Sequence, residues 1–296
     1  MELKAYLDER KAIVDRELKA CFPEPEGLAS DVMSAMKYSL FAGGKRLRPI
    51  LCMAGAEAMG GEFAHVLPVA CALELIHTYS LIHDDLPLMD DDDLRRGKPT
   101  NHKVFGEAVA LLAGDGLLTE AFSLMTVPEL RKRVSPDVII KVIDLISRAA
   151  GYRGMVGGQA VDIRSEGKTA DLRLVEFIHT HKTGALITAS VSSGAILAGG
   201  DKEQIEAITS YGRNIGLAFQ ISDDILDIEG DSKTLGKTPG ADEQKGKITF
   251  PAVVGLEKSR KLEGELVEAA IQALEGFEHK ADPLRLIARY IIERKK

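Results

Sequence analysis

Cysteine is scarce in this sequence. Only three are present, Cys21, Cys52 and Cys71, and no two of them form a CxxC pair. An odd number without paired spacing gives no basis for a disulfide framework. Because each cysteine lies in an apolar stretch with helical spacing, we expect three reduced side chains that fill the core.

Positive charge is also in short supply. The formal net charge is −7, which argues against general nucleic-acid binding because such proteins usually carry a basic surface. The residues from Met1 to Glu17 are charged and periodic rather than apolar, so they predict neither a secretory signal nor a membrane span. We therefore expect a soluble, cytoplasmic protein without a nucleic-acid partner.

Alternating β-branched residues, the mark of strands, are absent too. Nearly every segment between glycine and proline residues has helical spacing, which predicts an all-α protein. One predicted helix runs from about Leu67 to the first aspartates, and the others cover Gly106–Thr126, Pro136–Ala150, Leu172–Ala198, Lys202–Ile228, Ala252–Leu274 and Pro283–Arg294. With 296 residues, 45% of them hydrophobic, and no linker-like stretch, we expect one domain over residues 1–296 with a central site.

Two familiar catalytic arrangements are missing as well. No Ser-His-Asp or Cys-His set can be proposed, and no GxxxxGK[ST] motif is present. These absences disfavour covalent hydrolases and kinases of the P-loop kind.

The most informative feature that is present is a pair of aspartate clusters. In the second cluster, Gln220, Asp223, Asp224 and Asp227 are spaced i, i+3, i+4 and i+7, which places them on one stripe of a helix. A solvated acidic face would show the same spacing, but Phe219, Ile221 and Ile225 surround this stripe with apolar side chains. Oxygen ligands without histidine or thiolate favour Mg²⁺, or Ca²⁺ or Mn²⁺, over zinc.

The first cluster runs from Asp84 to Asp90. These two aspartates would lie on different faces of a continuous helix, and Pro87 is a poor residue for a helix interior. We therefore predict that the helix ends or kinks near Leu86 to Leu88, so that Asp90 turns back toward Asp84. The register lacks the glycine and glutamate that an EF-hand requires, so calcium sensing is disfavoured.

Cationic side chains are bunched near the same segments. Gly43 to Pro49 is a glycine turn followed by basic residues at the start of a helix, and Arg95-Arg96-Gly97-Lys98 follows the first aspartates. Each basic group alone could be a solvated face. Together with two acidic clusters, they favour two phosphorylated substrates, one held through metal and one held directly by Lys and Arg. His77 lies on the stripe of Asp84, where it is either a core residue or a phosphate contact.

In this order the motifs resemble those of the trans-isoprenyl diphosphate synthases, of the bacterial farnesyl diphosphate synthase type. The resemblance covers most of the chain. It rests on Gly43 to Pro49 (GGKRLRP), Asp84 to Asp90 (DDxxxxD), Arg95-Arg96-Gly97, Gly157-Gly158-Gln159, His181 to Gly184, Phe219-Gln220 and Asp223-Asp224-x-x-Asp227. It implies a single-domain bundle of antiparallel helices around a large central cavity, and a homodimer.

The resemblance also implies a role for each matching position. Metal ligands would be Asp84, Asp90 and Asp223, with Asp224 and Asp227, holding two or three Mg²⁺ ions, or Mn²⁺. Arg95, Lys182 and Lys237 would contact the allylic diphosphate, while Lys45, Arg48, His77 and Arg96 would bind isopentenyl diphosphate. Lys182, Thr183 and Gln220 would act in catalysis, the last two by turning oxygens toward a carbocation. The sequence offers no well-placed general base, so the departing diphosphate is expected to accept the proton.

Product length is expected to depend on Tyr79, five positions before Asp84, with Ser80 beside it. An aromatic side chain there resembles enzymes that stop at a C15 product, although Tyr79 could also be a core residue. A synthase of C20 or longer products remains an alternative. A non-catalytic partner subunit is disfavoured because both aspartate clusters are intact, and a terpene cyclase because it needs no second, directly held diphosphate. The Gly230–Gly246 loop is a candidate lid, and the tail from Arg294 to Lys296 is either part of closure or ordinary surface.

Overall fold

The computed structural model describes residues 2–168, 171–229 and 247–293, and helices dominate it. The α-helices are α1 Leu3–Cys21, α2 Ser30–Leu40, α3 Leu47–Ala58, α4 Leu67–Asp84, α5 Asn101–Phe105, α6 Glu107–Leu124, α7 Pro128–Arg131, α8 Pro136–Ala150, α9 Met155–Ser165, α10 Leu172–Ile178, α11 Ala185–Leu197, α12 Lys202–Glu229, α13 Phe250–Val254, α14 Leu256–Gln272 and α15 Asp282–Glu293. Short 3₁₀ turns cover Phe63–His65 and His279–Ala281, and a π-helix covers His179–Gly184. The predicted all-α class is confirmed.

Two predicted helices are interrupted. The segment expected to run from Leu172 to Ala198 contains the π-helix between α10 and α11. The segment expected from Ala252 to Leu274 breaks at Gly255, whose φ of 86° lies in the left-handed region that favours glycine. Periodicity indicates the apolar face of a helix but does not reveal one extra residue in a turn, which is why the π-helix escapes it.

Helix α4 is the central helix. Pro68 stands in its first turn, where a missing N–H does no harm, and apolar residues then occupy nearly all of its sides. Leu73, Leu75 and Ile76 are fully buried, each contributing about 1.5–3 kcal/mol relative to an exposed side chain. The helix packs against α1, α2, α3 and α6, so the residues at its carboxyl end are held in fixed positions.

A short hairpin interrupts the helical pattern after the first aspartate cluster. Its strands, β1 Leu94–Arg95 and β2 Lys98–Pro99, pair antiparallel. The connecting Arg96 and Gly97 have φ values of 54° and 75°, as a tight two-residue hairpin turn requires. The turn therefore fixes the direction of the adjacent basic side chains.

Helices α3 and α11 pack so closely that only glycine fits between them. A Cβ at Gly55 would lie 2.2 Å from the carbonyl oxygen of Val191, and one at Gly194 would lie 1.8 Å from that of Cys52. We call this contact the glycine seam of α3 and α11. It joins the helix that follows the GGKRLRP turn to the helix that follows the π-helix.

One stretch, Glu107–Arg131, is long and apolar enough to cross a membrane by length and composition alone. A core helix of a bundle passes the same test. Here α6, which makes up most of the stretch, packs against α4, α2 and α5.

Candidate active site

A cavity of about 490 Å³ opens beside the carboxyl end of α4, between α6, α9 and the π-helix. Its lining includes seven residues that the sequence singled out: Arg48, His77, Tyr79, Ser80, Asp84, Lys182 and Thr183. Charged and polar groups thus share one cavity with apolar side chains such as Leu86, Met155 and Ile163. This is the arrangement expected of a site for a ligand with a charged head and a hydrocarbon tail.

The first aspartate cluster has the predicted bend. Helix α4 ends at Asp84, and the chain turns so that the N–H of Asp90 donates to the carbonyl oxygen of Asp84 at 2.9 Å. Pro87 lies in this turn, where it has no N–H to contribute to a helix. The expectation that Asp90 returns toward Asp84 is therefore met at the level of the backbone.

The carboxyl group of Asp84 lies in an environment that disfavours its charge. Burial is the largest effect and raises its pKa to about 6; the positive charge of Lys182 lowers the pKa, and the negative charge of Asp90 raises it. A cation bound at this position would stabilise the charged form of Asp84. Within the described ranges, no three His, Cys, Asp or Glu side chains are grouped closely enough to hold a metal ion by themselves. The carboxylates of Asp84 and Asp90 are the kind of oxygen ligands that Mg²⁺ takes one or two of, with water and substrate oxygens completing its coordination.

Arg95 is held in place by the second aspartate of the first cluster. Its Nε donates to the Asp85 oxygens at 2.7 and 2.9 Å, and its Nη2 lies 3.3 Å from Asp92. Asp85 is only 3% exposed. No role for Asp85 followed from the sequence, and this pair supplies one, because Asp85 orients Arg95.

The GGKRLRP turn is shaped around a second arginine. Gly43 and Gly44 have φ values of 106° and 123°, and Arg96 donates to the carbonyl oxygen of Gly43. A Cβ at Gly44 would lie 2.7 Å from the Arg96 guanidinium. The glycines thus let Arg96 approach the turn next to Lys45, as expected for two groups that share one ligand.

Arg48 and His77 both line the cavity, and the charge of Arg48 acts on the His77 imidazole. Burial lowers the pKa of Arg48 to about 10, with Glu74 opposing and Arg96 reinforcing that shift. Burial and then the nearby arginines, Arg48 first, lower the pKa of His77 well below its ordinary value. Nε of Arg48 is buried without a hydrogen-bond partner among the described residues. A neutral imidazole beside one unsatisfied guanidinium N–H fits an anionic ligand.

The π-helix carries Lys182 and Thr183, and α9 positions it. Lys182 Nζ donates to Asp162 at 2.6 Å, and a Cβ at Gly158 would lie 2.2 Å from the backbone nitrogen of Lys182. The glycine therefore permits direct contact between α9 and the π-helix. Short π-helical segments are frequent at functional sites because the extra residue redirects side chains.

The second aspartate cluster lies on α12, and its members differ in burial. Asp223, Asp227 and Gln220 are half-buried, whereas Asp224 is 5% exposed. Asp223 is close enough to raise the pKa of Arg48. None of the four residues lines the cavity described above. Across the site, Nζ of Lys247 lies 3.5 Å from Asp90, so the segment before α13 meets the first cluster.

Several predicted features fall outside the described residues. These are Lys237, the Gly230–Gly246 loop and the tail from Arg294 to Lys296.

Sequence reasoning missed three residues of the site. Asp85 and Asp162 pair with Arg95 and Lys182, and Gln159 lines the cavity with both amide atoms buried and unpartnered among the described residues. A signal was available for the last two: Gln159 and Asp162 sit at i and i+3 of α9, directly after the Gly157-Gly158 pair.

The comparisons with known proteins identify the class of this enzyme as a prenyltransferase. The sequence profile of the family described as Polyprenyl synthetase matches residues 30–287. This chain belongs to that family, and it is a trans-prenyltransferase of the type that makes farnesyl or geranylgeranyl diphosphate.

Similar proteins carry different product names. A farnesyl diphosphate synthase of Geobacillus stearothermophilus is 47% identical over 294 residues, 99% of this chain and 98% of the relative. A geranylgeranyl diphosphate synthase of Cyanophora paradoxa is 48% identical over 293 residues, 99% of this chain and 96% of the relative. An apo crystal structure of an FPP/GFPP synthase from Zymomonas mobilis matches with a TM-score of 0.88 and 40% identity, covering 98% of each chain. Similarity alone therefore leaves product length open.

Proposed function

We propose that this enzyme condenses dimethylallyl or geranyl diphosphate head-to-tail with isopentenyl diphosphate, forming farnesyl diphosphate and releasing diphosphate in a Mg²⁺-dependent reaction. The observation that carries the proposal is the cavity itself. Asp84, Lys182 and Arg48 lie at its polar end, and Tyr79 lies in its wall. A diphosphate bound at the polar end would direct its hydrocarbon chain along the apolar side chains.

Two groups of cations would hold the two substrates. Arg95, Lys182 and Lys237 would contact the allylic diphosphate, and Lys45, Arg48, Arg96 and His77 would contact isopentenyl diphosphate. This division is supported by position, since Lys182 is close to Asp84 while Arg48 and His77 share the region of the GGKRLRP turn. Asp84, Asp90, Asp223 and Asp227 would hold Mg²⁺.

The chemistry follows from charge. When bound, Mg²⁺ would stabilise the negative charge that develops on the leaving diphosphate. Lys182, oriented by Asp162, and Arg95, oriented by Asp85, would add fixed positive charge to the same oxygens. Thr183 and Gln220 would turn their oxygens toward the allylic cation. The C=C of isopentenyl diphosphate would then attack the allylic cation and form the new C–C bond. The cation that results would lose a proton to the departing diphosphate.

Product length would be set at Tyr79 and Ser80. Both line the cavity, and Tyr79 makes an edge-to-face contact with His83 at 5.7 Å between ring centroids. A geranylgeranyl product is the second candidate, because a geranylgeranyl diphosphate synthase at 48% identity and a farnesyl diphosphate synthase at 47% are about equally similar to this chain.

The test is incubation with isopentenyl diphosphate and each allylic primer, with and without EDTA, followed by product chromatography. A C15 product that disappears with EDTA supports the proposal, and a C20 product supports the second candidate. Tyr79→Ala should lengthen the product, whereas Tyr152→Ala, which changes a tyrosine that is 74% exposed, should not. An unchanged product from Tyr79→Ala would show that Tyr79 does not set product length.

We also propose that the enzyme is a homodimer, as its family resemblance implies, and that it is cytoplasmic. Light scattering coupled to size-exclusion chromatography tests the dimer directly, since the monomer mass is 32.0 kDa. A mass of one chain at micromolar concentration would contradict it.

A further inference from the structure

Asp224 is buried in the protein, whereas Asp223 and Asp227 are half-buried. Its Oδ2 accepts the backbone N–H of Phe250 at 2.8 Å, and the same oxygen lies 3.5 Å from Nε2 of His179. Asp224, His179 and Phe250 are 5%, 5% and 0% exposed. Helix geometry explains the difference from its neighbours: Asp227 lies about 40° from Asp223 around the axis, but Asp224 lies about 100° from it.

His179 supports this carboxylate from the other side. Its ring contacts that of Phe250, with the centroids 5.2 Å apart. The tautomer of His179 that carries its hydrogen on Nε2 directs that N–H toward Asp224, with Nε2 3.5 Å from Oδ2.

The two partners belong to segments that each deliver a lysine to the site. His179 begins the π-helix that carries Lys182 and Thr183. Phe250 begins α13, directly after the segment in which Lys247 lies 3.5 Å from Asp90. The buried carboxylate of Asp224 on α12 thus contacts two separate segments of the chain. Each of these segments carries a lysine that lies near the first aspartate cluster.

We propose that Asp224 is a positioning residue and not a metal ligand, and that together with His179 it holds the π-helix and the Lys247 segment in register across the site. Metal binding by the second cluster then falls to Asp223 and Asp227. This inference rests on the proposed function only where enzyme activity is measured. The contacts that support it, from Asp224 to Phe250 and His179, lie within the protein.

Paired Asp→Asn variants separate the two roles. Asparagine at 224 still offers an oxygen to the Phe250 N–H but is a poor Mg²⁺ ligand, and Asp223→Asn is the same change on the neighbouring, half-buried side chain. In the activity assay, Asp223→Asn should raise the half-saturating Mg²⁺ concentration about tenfold or more, while Asp224→Asn leaves it within about twofold. An equal rise in the two variants would overturn the proposal.

A readout without turnover uses Mg²⁺ with inorganic diphosphate as the probe. Thermal unfolding of each variant is followed with and without this probe. Asp224→Asn should keep the upward Tm shift of the wild type, and Asp223→Asn should lose most of it. Loss of the shift in Asp224→Asn alone would identify Asp224 as a ligand after all.

The histidine provides an independent test. His179→Ala should raise KM for the allylic diphosphate about tenfold without changing the Mg²⁺ requirement, because the π-helix that carries Lys182 loses its contact with Asp224 on α12. His179→Gln places an amide nitrogen where Nε2 was and should restore most of the loss. If Ala and Gln behave alike, His179 does not act through Asp224.

The two proposals can fail separately. If no primer gives a product but Asp224→Asn keeps the diphosphate-induced Tm shift that Asp223→Asn loses, the proposed function is wrong and the role of Asp224 stands.

Discussion

Arg46 connects three helices through one buried guanidinium. It sits at the start of α3 with φ 53° and donates to Asp15 on α1 at 2.8 Å, to Glu74 on α4 at 2.7 Å and to the Leu40 carbonyl oxygen at 2.7 Å. We call these residues the Arg46 cluster. Because Lys45 and Arg48 flank Arg46, the cluster fixes the direction of two proposed substrate contacts.

Arg46→Met should destabilise the fold strongly. The change leaves Glu74, which is 1% exposed, buried without its cation, and breaking such a pair costs about 3–5 kcal/mol. Urea unfolding measures the loss. Lys261→Met is the matched control, since its pair with Glu265 is exposed and such pairs are worth about 0–1 kcal/mol. Equal losses in the two variants would contradict this account.

Asp15→Asn should give a loss of stability that depends on pH. Burial alone would raise the pKa of Asp15, but hydrogen bonds from Lys11 and Arg46 outweigh it and lower the pKa below its ordinary value. A lowered folded pKa stabilises the protein above the unfolded value of about 4, and that stabilisation disappears as pH falls through the folded value. The difference between wild type and variant should therefore be large at pH 7 and shrink toward pH 3. Urea unfolding that shows the same difference at both pH values would refute the assignment.

Individual site residues were predictable where motifs repeat a chemical type. The spacing of Asp84 and Asp90 with Pro87 between them indicated the bend that the backbone shows. The spacing of Asp162 from Gln159 indicates a shared face of α9, but the pairing of Asp162 with Lys182 was not predictable because the two residues lie on different helices. A sequence shows which side chains exist, whereas pairing across helices follows from packing.

At the level of elements, the contact between α9 and the π-helix is the tightest constraint on the catalytic side chains. Gly158→Ala should reduce kcat/KM by about a hundredfold, because a misplacement of about 1 Å has that effect and the new Cβ would meet the Lys182 backbone. Steady-state kinetics with both substrates checks this.

The same substitution elsewhere provides the control. A Cβ at Gly264, within α14, meets nothing within 4 Å, so Gly264→Ala should keep full activity and gain about 0.5–1 kcal/mol from its helix propensity. Full activity in Gly158→Ala would show that the π-helix can move without consequence.

Element boundaries were predictable where a cap or a proline marks them. The predicted bounds Pro136–Ala150 are the observed bounds of α8. Ser135 is the N-cap of this helix, and Pro136 is its first residue. The β1–β2 hairpin was not predicted, because strands of two residues have no alternation to detect.

For the whole molecule, the glycine seam of α3 and α11 should be the most stable part. The interior of α11 is almost entirely buried from Leu186 to Leu197, and α3 is buried over most of its length. Hydrogen exchange followed by mass spectrometry should show that amides of these helices exchange last, at a free energy close to that of global unfolding, and those of α7 and the hairpin far earlier. Early exchange in α3 would contradict this.

The seam also bears on how relatives with different product names can arise from one architecture. Since its backbones already touch, neither α3 nor α11 can retreat to make room for a longer chain without losing that contact. The cavity wall formed by α4, α6 and α9 has side chains to exchange, among them Tyr79, Leu111 and Ile163. Relatives that make products of different length should therefore differ in the side chains of that wall, while the glycines of the seam stay constant.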